Sequence, residues 1–385
     1  RELSSFVRSI DPISGWGRGV TSAYNEVNQD ADAFFQPLDV AGYNYSPSHY
    51  TSDHARVPER VIVGTESYPN ASFSNWELVW ESSYVIGDFV WTAFDYLGES
   101  GLGANGFNSP DVRACSMYCS QPWSFHIAFC GDIDVVGHKR PQSYYRNVLW
   151  NVSLLELAVH APVPPGELEQ VALWGWPDER QSWTWSEVPS LTGLQVNVYS
   201  RLPFVDLTLN GKSVGGVQRV SYGTKFTASF TVPYEPGELT AVGYDRSGSV
   251  VATKSLFTAQ PGARIQLSVD RNVLQGGNRD DVAYVTARVV DVSGVLNPEE
   301  VHAVVFELVK QDGLEIAAVG NADPEDTSTF AACARNTYRG QCVAIIRPTT
   351  RANRHDTVGR NFCTAHTVVA TSEGLSSGSV DILLC

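Results

Sequence analysis

Nowhere does the sequence gather lysine and arginine into a run, and its 27 Lys and Arg stand against 42 Asp and Glu, for a formal net charge of −15 over 385 residues. Without a basic footprint nothing is set to neutralise phosphates. That argues against a nucleic acid or an anionic membrane as partner and makes a neutral substrate the easier fit. Long apolar runs are missing too, since no stretch approaches the roughly 20 residues that span a bilayer. There is no initiator Met and no signal peptide. Arg1 opens directly into RELSSFVRSIDP, which reads as the tail of an amphipathic helix with Leu3, Phe6, Val7 and Ile10 on one face. The expectation is a chain that starts inside an element.

Cysteine is the next shortage. Seven is an odd count in a chain too large to need staples. Cys115, Cys119 and Cys130 lie close together, but their spacing matches no zinc-ligand pattern, so buried thiols or a disulfide are the expectation. Cys333 and Cys342 are spaced to close a short loop. What the chain does have is aromatic surface, with ten Trp and sixteen Tyr. Such side chains suit sugar faces, and equally suit cores and interfaces.

At this length two or three domains are expected. Residues 1–158 alternate near-continuous apolar runs with helical patterns. Strands are predicted at 19–23, 39–45, 60–65 and 87–94, with helical spacing in SNWELVWESSYV and a closing helix in SYYRNVLWN. Apolar strands separated by helices imply a parallel sheet with crossover helices. Four such units are half of a (β/α)8 TIM barrel, which needs about 250 residues. Residues 159–168, containing APVPPGE, read as a linker. Short alternating strands follow, with Asn210-Gly211 as a hairpin signal. They predict one immunoglobulin-like β-sandwich over 169–260 and a second over 261–385. The fold class is therefore multidomain, α/β followed by all-β.

In a (β/α)8 barrel, reactive groups sit at the C-terminal ends of strands. Here those ends offer Tyr24, Asn44 and Tyr45, Glu66, and Trp91 with Asp95. Only Glu66 is a carboxylate directly after a buried apolar run. A retaining glycosidase uses one ionised carboxylate to attack the anomeric carbon and a second, protonated one to assist the leaving group. A neighbouring hydroxyl such as that of Tyr45 can keep the first one charged. The structural alternative for Glu66 is a strand-end residue paired with a Lys or Arg.

Four collinear segments tip this balance. GTESYP (64–69), GDFVWTAFDYLGESGLG (87–103), GDIDVVGHKRPQSYYRNVLW (131–150) and DVAGYNY (39–45) closely resemble glycoside hydrolase family 2, most strongly its β-galactosidase branch. The resemblance implies that Glu66 is the nucleophile, that Tyr45 hydrogen-bonds it, and that Trp91 packs against the sugar. Asn44, Asp95 and Trp123 are further pocket candidates, for which scaffold roles stay open. His54 and His126 read as ordinary loop histidines. The family's acid/base Glu sits in an Asn-Glu pair ending strand four. The one such pair here, Asn25-Glu26, follows a strand that the motif order makes strand five, so Glu26 reads as a helix N-terminal acid. The acid/base residue is expected upstream of Arg1, and the chain alone is expected to be inactive.

NGKSVG (210–215), DRSGSVVAT (245–253) and VGNADPED (319–326) resemble, more loosely, the accessory sandwiches of the same family. Trp174, Trp176, Trp183 and Trp185 read either as a sugar platform or as packing against the barrel, with packing favoured. The implied activity is exo-hydrolysis of terminal β-galactosides in an oligosaccharide or glycoconjugate, with no cofactor or metal required and homo-oligomerisation left open. The alternatives are a β-glucuronidase or β-mannosidase of the same family, or a non-catalytic carbohydrate-binding protein. A glucuronidase needs positive groups for the sugar carboxylate, and none clusters near Glu66 in the sequence.

Overall fold

The computed structural model describes residues 2–11, 17–25, 31–108, 121–310, 312–349 and 363–385. Glu26, Cys115 and Cys119 lie outside the described residues. The first unit is a four-stranded parallel sheet in sequential order, β1 (Thr21–Tyr24), β2 (Val40–Asn44), β3 (Ile62–Ser67) and β4 (Val85–Val90). Helices α2 (Asp32–Phe35), α3 (Tyr50–Arg56) and α4 (Ser72–Glu81) make the crossovers. Ala41, Tyr43 and Ile62 from the middle strands bury against Phe35, Tyr50, Leu78 and Val79. Such strands, covered by helices, read as continuous apolar runs because little of their surface meets water.

Arg60 is held inside this unit by polar contacts. It reaches the Tyr43 hydroxyl at 3.2 Å and Asp32 at 2.6 Å, while Tyr43 donates to Asp53 at 2.8 Å. A buried guanidinium is tolerated because each of these groups is partnered.

Helix α1 (Glu2–Ile10) docks by its polar face. Ser4 donates to the Pro37 carbonyl at 3.0 Å, and Arg8 pairs with Asp39 at 2.5 Å. Leu3, Phe6, Val7 and Ile10 therefore point outward, Leu3 at 80% exposure. Edge strand β1 is exposed along most of its length, and Ile86 and Phe89 of β4 are also exposed.

Beyond β4, the segment 131–140 is braced to helix α5 (Pro141–Leu149). Arg146 ion-pairs with Asp132 at 2.5 Å, and Gln142 donates to the Gly131 carbonyl at 2.6 Å. Phe73 of α4 and Tyr145, Val148 and Leu149 of α5 pack with Ala158 and Tyr199, tying the first unit to the β-structure C-terminal to it.

The chain then enters a two-sheet sandwich earlier than the sequence suggested. Strand β5 (Leu155–His160), which the sequence divides between the front unit and the linker, pairs antiparallel with Gly193–Ser200. Its apolar run resembles a parallel barrel strand because both of its faces are covered. The opposing sheet is built on Phe204–Leu209, Glu238–Tyr244 and Val250–Phe257. Asn210 and Gly211 both take positive φ, 50° and 78°, as a two-residue hairpin turn demands, and Leu209 pairs Lys212 across it. Trp183 and Trp185 are buried in this sandwich's core rather than displayed.

A second two-sheet unit runs from Arg264 to Leu384 around Ile265, Val285, Phe306, Ala344 and Val368. Strand Leu314–Gly320 and the last strand, Gly378–Leu384, complete its sheets and were not anticipated. The loop closure proposed for Cys333 and Cys342 is corrected here. Both are free thiols, because Cys342 faces the core on its strand whereas Cys333 is exposed. Among the described residues a disulfide joins Cys363 to Cys385 instead. Among the described residues no helix is long and apolar enough to cross a membrane.

Candidate active site

Glu66 stands near the C-terminal end of β3, where the register with β2 shifts and sets it opposite Asn44. Gly64, two residues earlier, is fixed by crowding. A Cβ there would lie 2.6 Å from the Asp88 carboxylate and 2.9 Å from the Tyr50 hydroxyl. Asn44 is buried and accepts a 2.7 Å hydrogen bond from the Thr65 hydroxyl, so it steadies the residue beside Glu66.

Tyr45 follows with φ of 50°, in the left-handed region that costs a non-glycine residue roughly 1 kcal/mol. That turn brings its amide to the Glu66 carbonyl at 2.8 Å and its phenol into hydrogen bonding with the Glu66 side chain. Burial raises the phenol's pKa most. A hydrogen bond from Trp174 opposes that rise, and the neighbouring Glu66 charge adds to it. The phenol therefore stays protonated and available as a donor. Among the described residues no lysine or arginine forms an ion pair with Glu66.

Two side chains that the sequence did not select complete the cluster. Tyr68 stacks on Tyr45 with ring centroids 4.4 Å apart. Trp174, 129 residues from Tyr45, donates its indole N–H to the Tyr45 hydroxyl at 2.9 Å and meets both tyrosine rings edge-on. Tyr68 was within reach, two residues after Glu66 in the same motif. Trp174 had been grouped with three other tryptophans, and no local spacing separates it from them. Trp176 packs on Tyr145 of α5 and donates to Glu179 at 2.8 Å.

Trp91 is half-buried. Its amide donates to the Ser67 carbonyl at 2.9 Å and its indole to the Tyr96 hydroxyl at 3.2 Å. It shares an apolar cluster with Leu102, Ala128, Cys130 and Trp174, which sets it on the same side as the tyrosines. Burial pushes the Cys130 thiol up to about 12, so it is inert packing.

Asp95, for which the sequence leaves pocket and scaffold roles open, makes scaffold contacts. Its side chain is fully buried, 3.0 Å from Arg140 and 2.7 Å from the Gly131 amide. Burial pushes its carboxyl up to about 6 against the pull of Arg140. A sealed carboxylate with these partners braces the 131–140 loop and is not offered to a ligand. Trp123 is 84% exposed and, among the described residues, makes no ring contact with the Tyr45 cluster. His54 stacks on Tyr84, and His126 contacts the Ser124 carbonyl. Among the described residues no group of three or more metal-ligating side chains gathers.

Known proteins bear on these features. The sequence model of glycoside hydrolase family 2 C-terminal domain 5 matches residues 265–381, and that of a domain of unknown function (DUF4982) matches 192–252. The β-galactosidase BoGH2A of Bacteroides ovatus is 25% identical over 99% of this chain and 43% of its own length. A putative β-glucuronidase of Formosa agariphila is 26% identical over 73% of this chain and 24% of its own. A solved glycosyl hydrolase family 2 member from Bacteroides cellulosilyticus superposes with a TM-score of 0.83 at 33% identity, over all of this chain and 46% of that one. The chain thus spans less than half the length of these relatives. Family model, sequence relatives and superposed structure point the same way: what this chain resembles, along its whole length, is glycoside hydrolase family 2.

Proposed function

We propose that these residues form part of a retaining exo-β-glycosidase, a β-galactosidase, with Glu66 as its nucleophile. The observation that carries the reading is a carboxylate at the end of a parallel strand, hydrogen-bonded by a half-buried phenol and free of any cation among the described residues. In the first step the Glu66 carboxylate attacks the anomeric carbon as the glycosidic C–O bond breaks, and the leaving oxygen takes a proton from a second carboxylic acid. In the second step water, deprotonated by that same group, attacks the anomeric carbon and releases Glu66. Tyr45 positions the nucleophile and Trp91 walls the sugar ring, with Asn44 behind them. Trp123 belongs to a rim, its part still to be tested by substitution.

The parallel sheet is read as the second half of a (β/α)8 barrel, followed by two immunoglobulin-like sandwiches at about 155–260 and 261–385. Three features support the half-barrel reading. The edge strand is bare, the apolar face of α1 points outward, and the relatives are more than twice as long. The acid/base carboxylate is assigned to the remainder of the barrel, beyond these residues, so the chain by itself is inactive. β-Galactoside is preferred to β-glucuronide because, among the described residues, no cation pairs with Glu66. The F. agariphila relative's name keeps glucuronide as the second reading.

The test uses the full-length polypeptide. Glu66→Gln should lower hydrolysis of a nitrophenyl β-galactoside by at least about a thousandfold. A 2-fluoro galactoside should label Glu66, read by mass spectrometry of the peptide that contains it. Full activity in Glu66→Gln sinks the nucleophile assignment. Turnover of the β-glucuronide or β-mannoside in place of the galactoside replaces the substrate but keeps the nucleophile.

A further inference from the structure

We propose that Trp174, carried on the segment between β5 and the strand Glu179–Arg180 of the first sandwich, is a positioning residue for Glu66 acting through Tyr45; this rests on Glu66 being the nucleophile. A phenol has one proton to give and two lone pairs to offer. The Trp174 indole has a proton only, and its Nε1–H lies 2.9 Å from the Tyr45 oxygen. That contact occupies a lone pair and leaves the Tyr45 proton to Glu66, the other hydrogen-bond partner of the hydroxyl. A hydroxyl that accepts one hydrogen bond donates a stronger one. Trp174 thereby fixes the direction of the Tyr45 O–H and strengthens its hold on the carboxylate, while never touching Glu66 itself.

The loop bearing Trp174 is built to hold it there. Asn105 accepts from the Ala172 amide at 3.2 Å and donates to the Trp176 carbonyl at 2.7 Å, bracketing the tryptophan on both sides. Asn70 donates to the Leu173 carbonyl at 3.4 Å. A Cβ on Gly175 would lie 2.5 Å from Asn105 Oδ1, so the loop comes as close as glycine permits. Trp176 is anchored in turn by Glu179, a residue 1% exposed whose carboxylate also accepts from Asn197 and Tyr199 at 2.5 and 2.6 Å. A tryptophan serving only as packing has no need for its N–H to be aimed at the one phenol that bonds Glu66.

The experiment compares Trp174→Phe, Tyr45→Phe and the double variant in the full-length protein. Phenylalanine keeps an aromatic ring and removes the donor. We expect Trp174→Phe to lower kcat/KM by about three- to tenfold, the range of one neutral hydrogen bond. The acid limb of its pH profile should move to higher pH, since a carboxylate that loses donor strength holds its proton more tightly. The double variant should match Tyr45→Phe alone, because Trp174 has nothing to act through once the phenol is gone. Among the described residues the titratable neighbours that act on the Tyr45 phenol are Glu66 and Tyr68, and burial holds both phenols above their ordinary range, away from the limb.

An unchanged rate and profile in Trp174→Phe, or a loss that adds in full to that of Tyr45→Phe, overturns the proposal. A lower rate with an unmoved acid limb does the same, as it marks packing alone. Should Trp174→Phe fail to fold, Tyr45→Phe reads the same link from the other side. Hydrogen exchange at the Trp174 indole must then speed up, and unaltered exchange overturns the proposal. An active Glu66→Gln variant is a separate failure, because it removes the nucleophile reading itself.

Discussion

Removing the Arg140 guanidinium, as in Arg140→Met, should produce a defect that pH switches on. Arg140 is the cation beside the fully buried carboxylate of Asp95, and it also lies 3.6 Å over the Phe129 ring. Asp95 titrates near 6 against an ordinary value of 3.8, because burial outweighs the pull of Arg140. That rise corresponds to about 3 kcal/mol. A carboxyl whose folded value lies above its unfolded one binds its proton more tightly when folded. Its contribution to stability is therefore largest below about pH 4 and declines as pH rises towards about 6.

Without Arg140 the decline continues above pH 6, at about 1.4 kcal/mol per pH unit while Asp95 still holds its proton in the folded state. The defect should be about 1 kcal/mol at pH 5, from lost packing and hydrogen bonding, and should reach about 3 kcal/mol at pH 8. Hydrogen exchange over residues 129–146, corrected for intrinsic rates, reports it locally, with the Gly131 amide as the closest probe. Asp95→Asn in the Arg140→Met background should abolish the pH dependence. A defect of equal size at pH 5 and pH 8, or one larger at pH 5, would refute an ionised, sealed Asp95 as its source.

Three further outcomes are expected. Reducing the Cys363–Cys385 bond, whose partners are 22 residues apart, should cost the C-terminal sandwich about 3 kcal/mol, seen calorimetrically as a lower melting temperature under reductant. Gly103 has φ of 77°, and a Cβ there would lie 2.7 Å from Cys130 Cβ and 2.8 Å from the Trp174 carbonyl. Gly103→Ala should thus lose about 2 kcal/mol and perturb the Trp174 loop, and a wild-type melting curve would contradict so close an approach. Trp183 is fully buried and donates to the Glu235 carbonyl at 2.9 Å. Trp183→Ala should cost about 4 kcal/mol in urea unfolding of the first sandwich, and a loss below about 1 kcal/mol would mean that its core is not packed as described.

Much of this was legible because the relevant signals are local. The apolar runs ending at Asn44 and Glu66 announce parallel strands, and Asn210-Gly211 announces its turn, since each depends on a few consecutive residues. Asp95 stayed open between pocket and scaffold because a buried carboxylate and an exposed one look alike at a strand end. Only the position of Arg140, 45 residues on, separates them. Leu155–His160 was divided between the barrel half and the linker because a strand covered on both faces has the same pattern in a parallel sheet and in a sandwich. The outward turn of Leu3, Phe6 and Ile10 is set by what lies against α1, which helical periodicity does not encode. Trp174 stands furthest from sequence reasoning, for its role depends on one hydrogen bond across 129 residues.

That hydrogen bond bears on how such proteins recombine. The proline-rich stretch after His160 looks like a natural crossover point for exchanging one accessory module for another. A crossover there would import a new residue at position 174, and the incoming module would bring its own partner for Tyr45. One placed after Arg180 would keep the native tryptophan, and either junction parts β5 from its partner strand Gly193–Ser200, so both divide a β-sheet between two parents. Both sets of chimeras share that cost in folding, and those joined at the first point should differ further in rate, because only they exchange the partner of Tyr45. In lineages that shuffle these modules, substitutions at 45 and 174 should travel together.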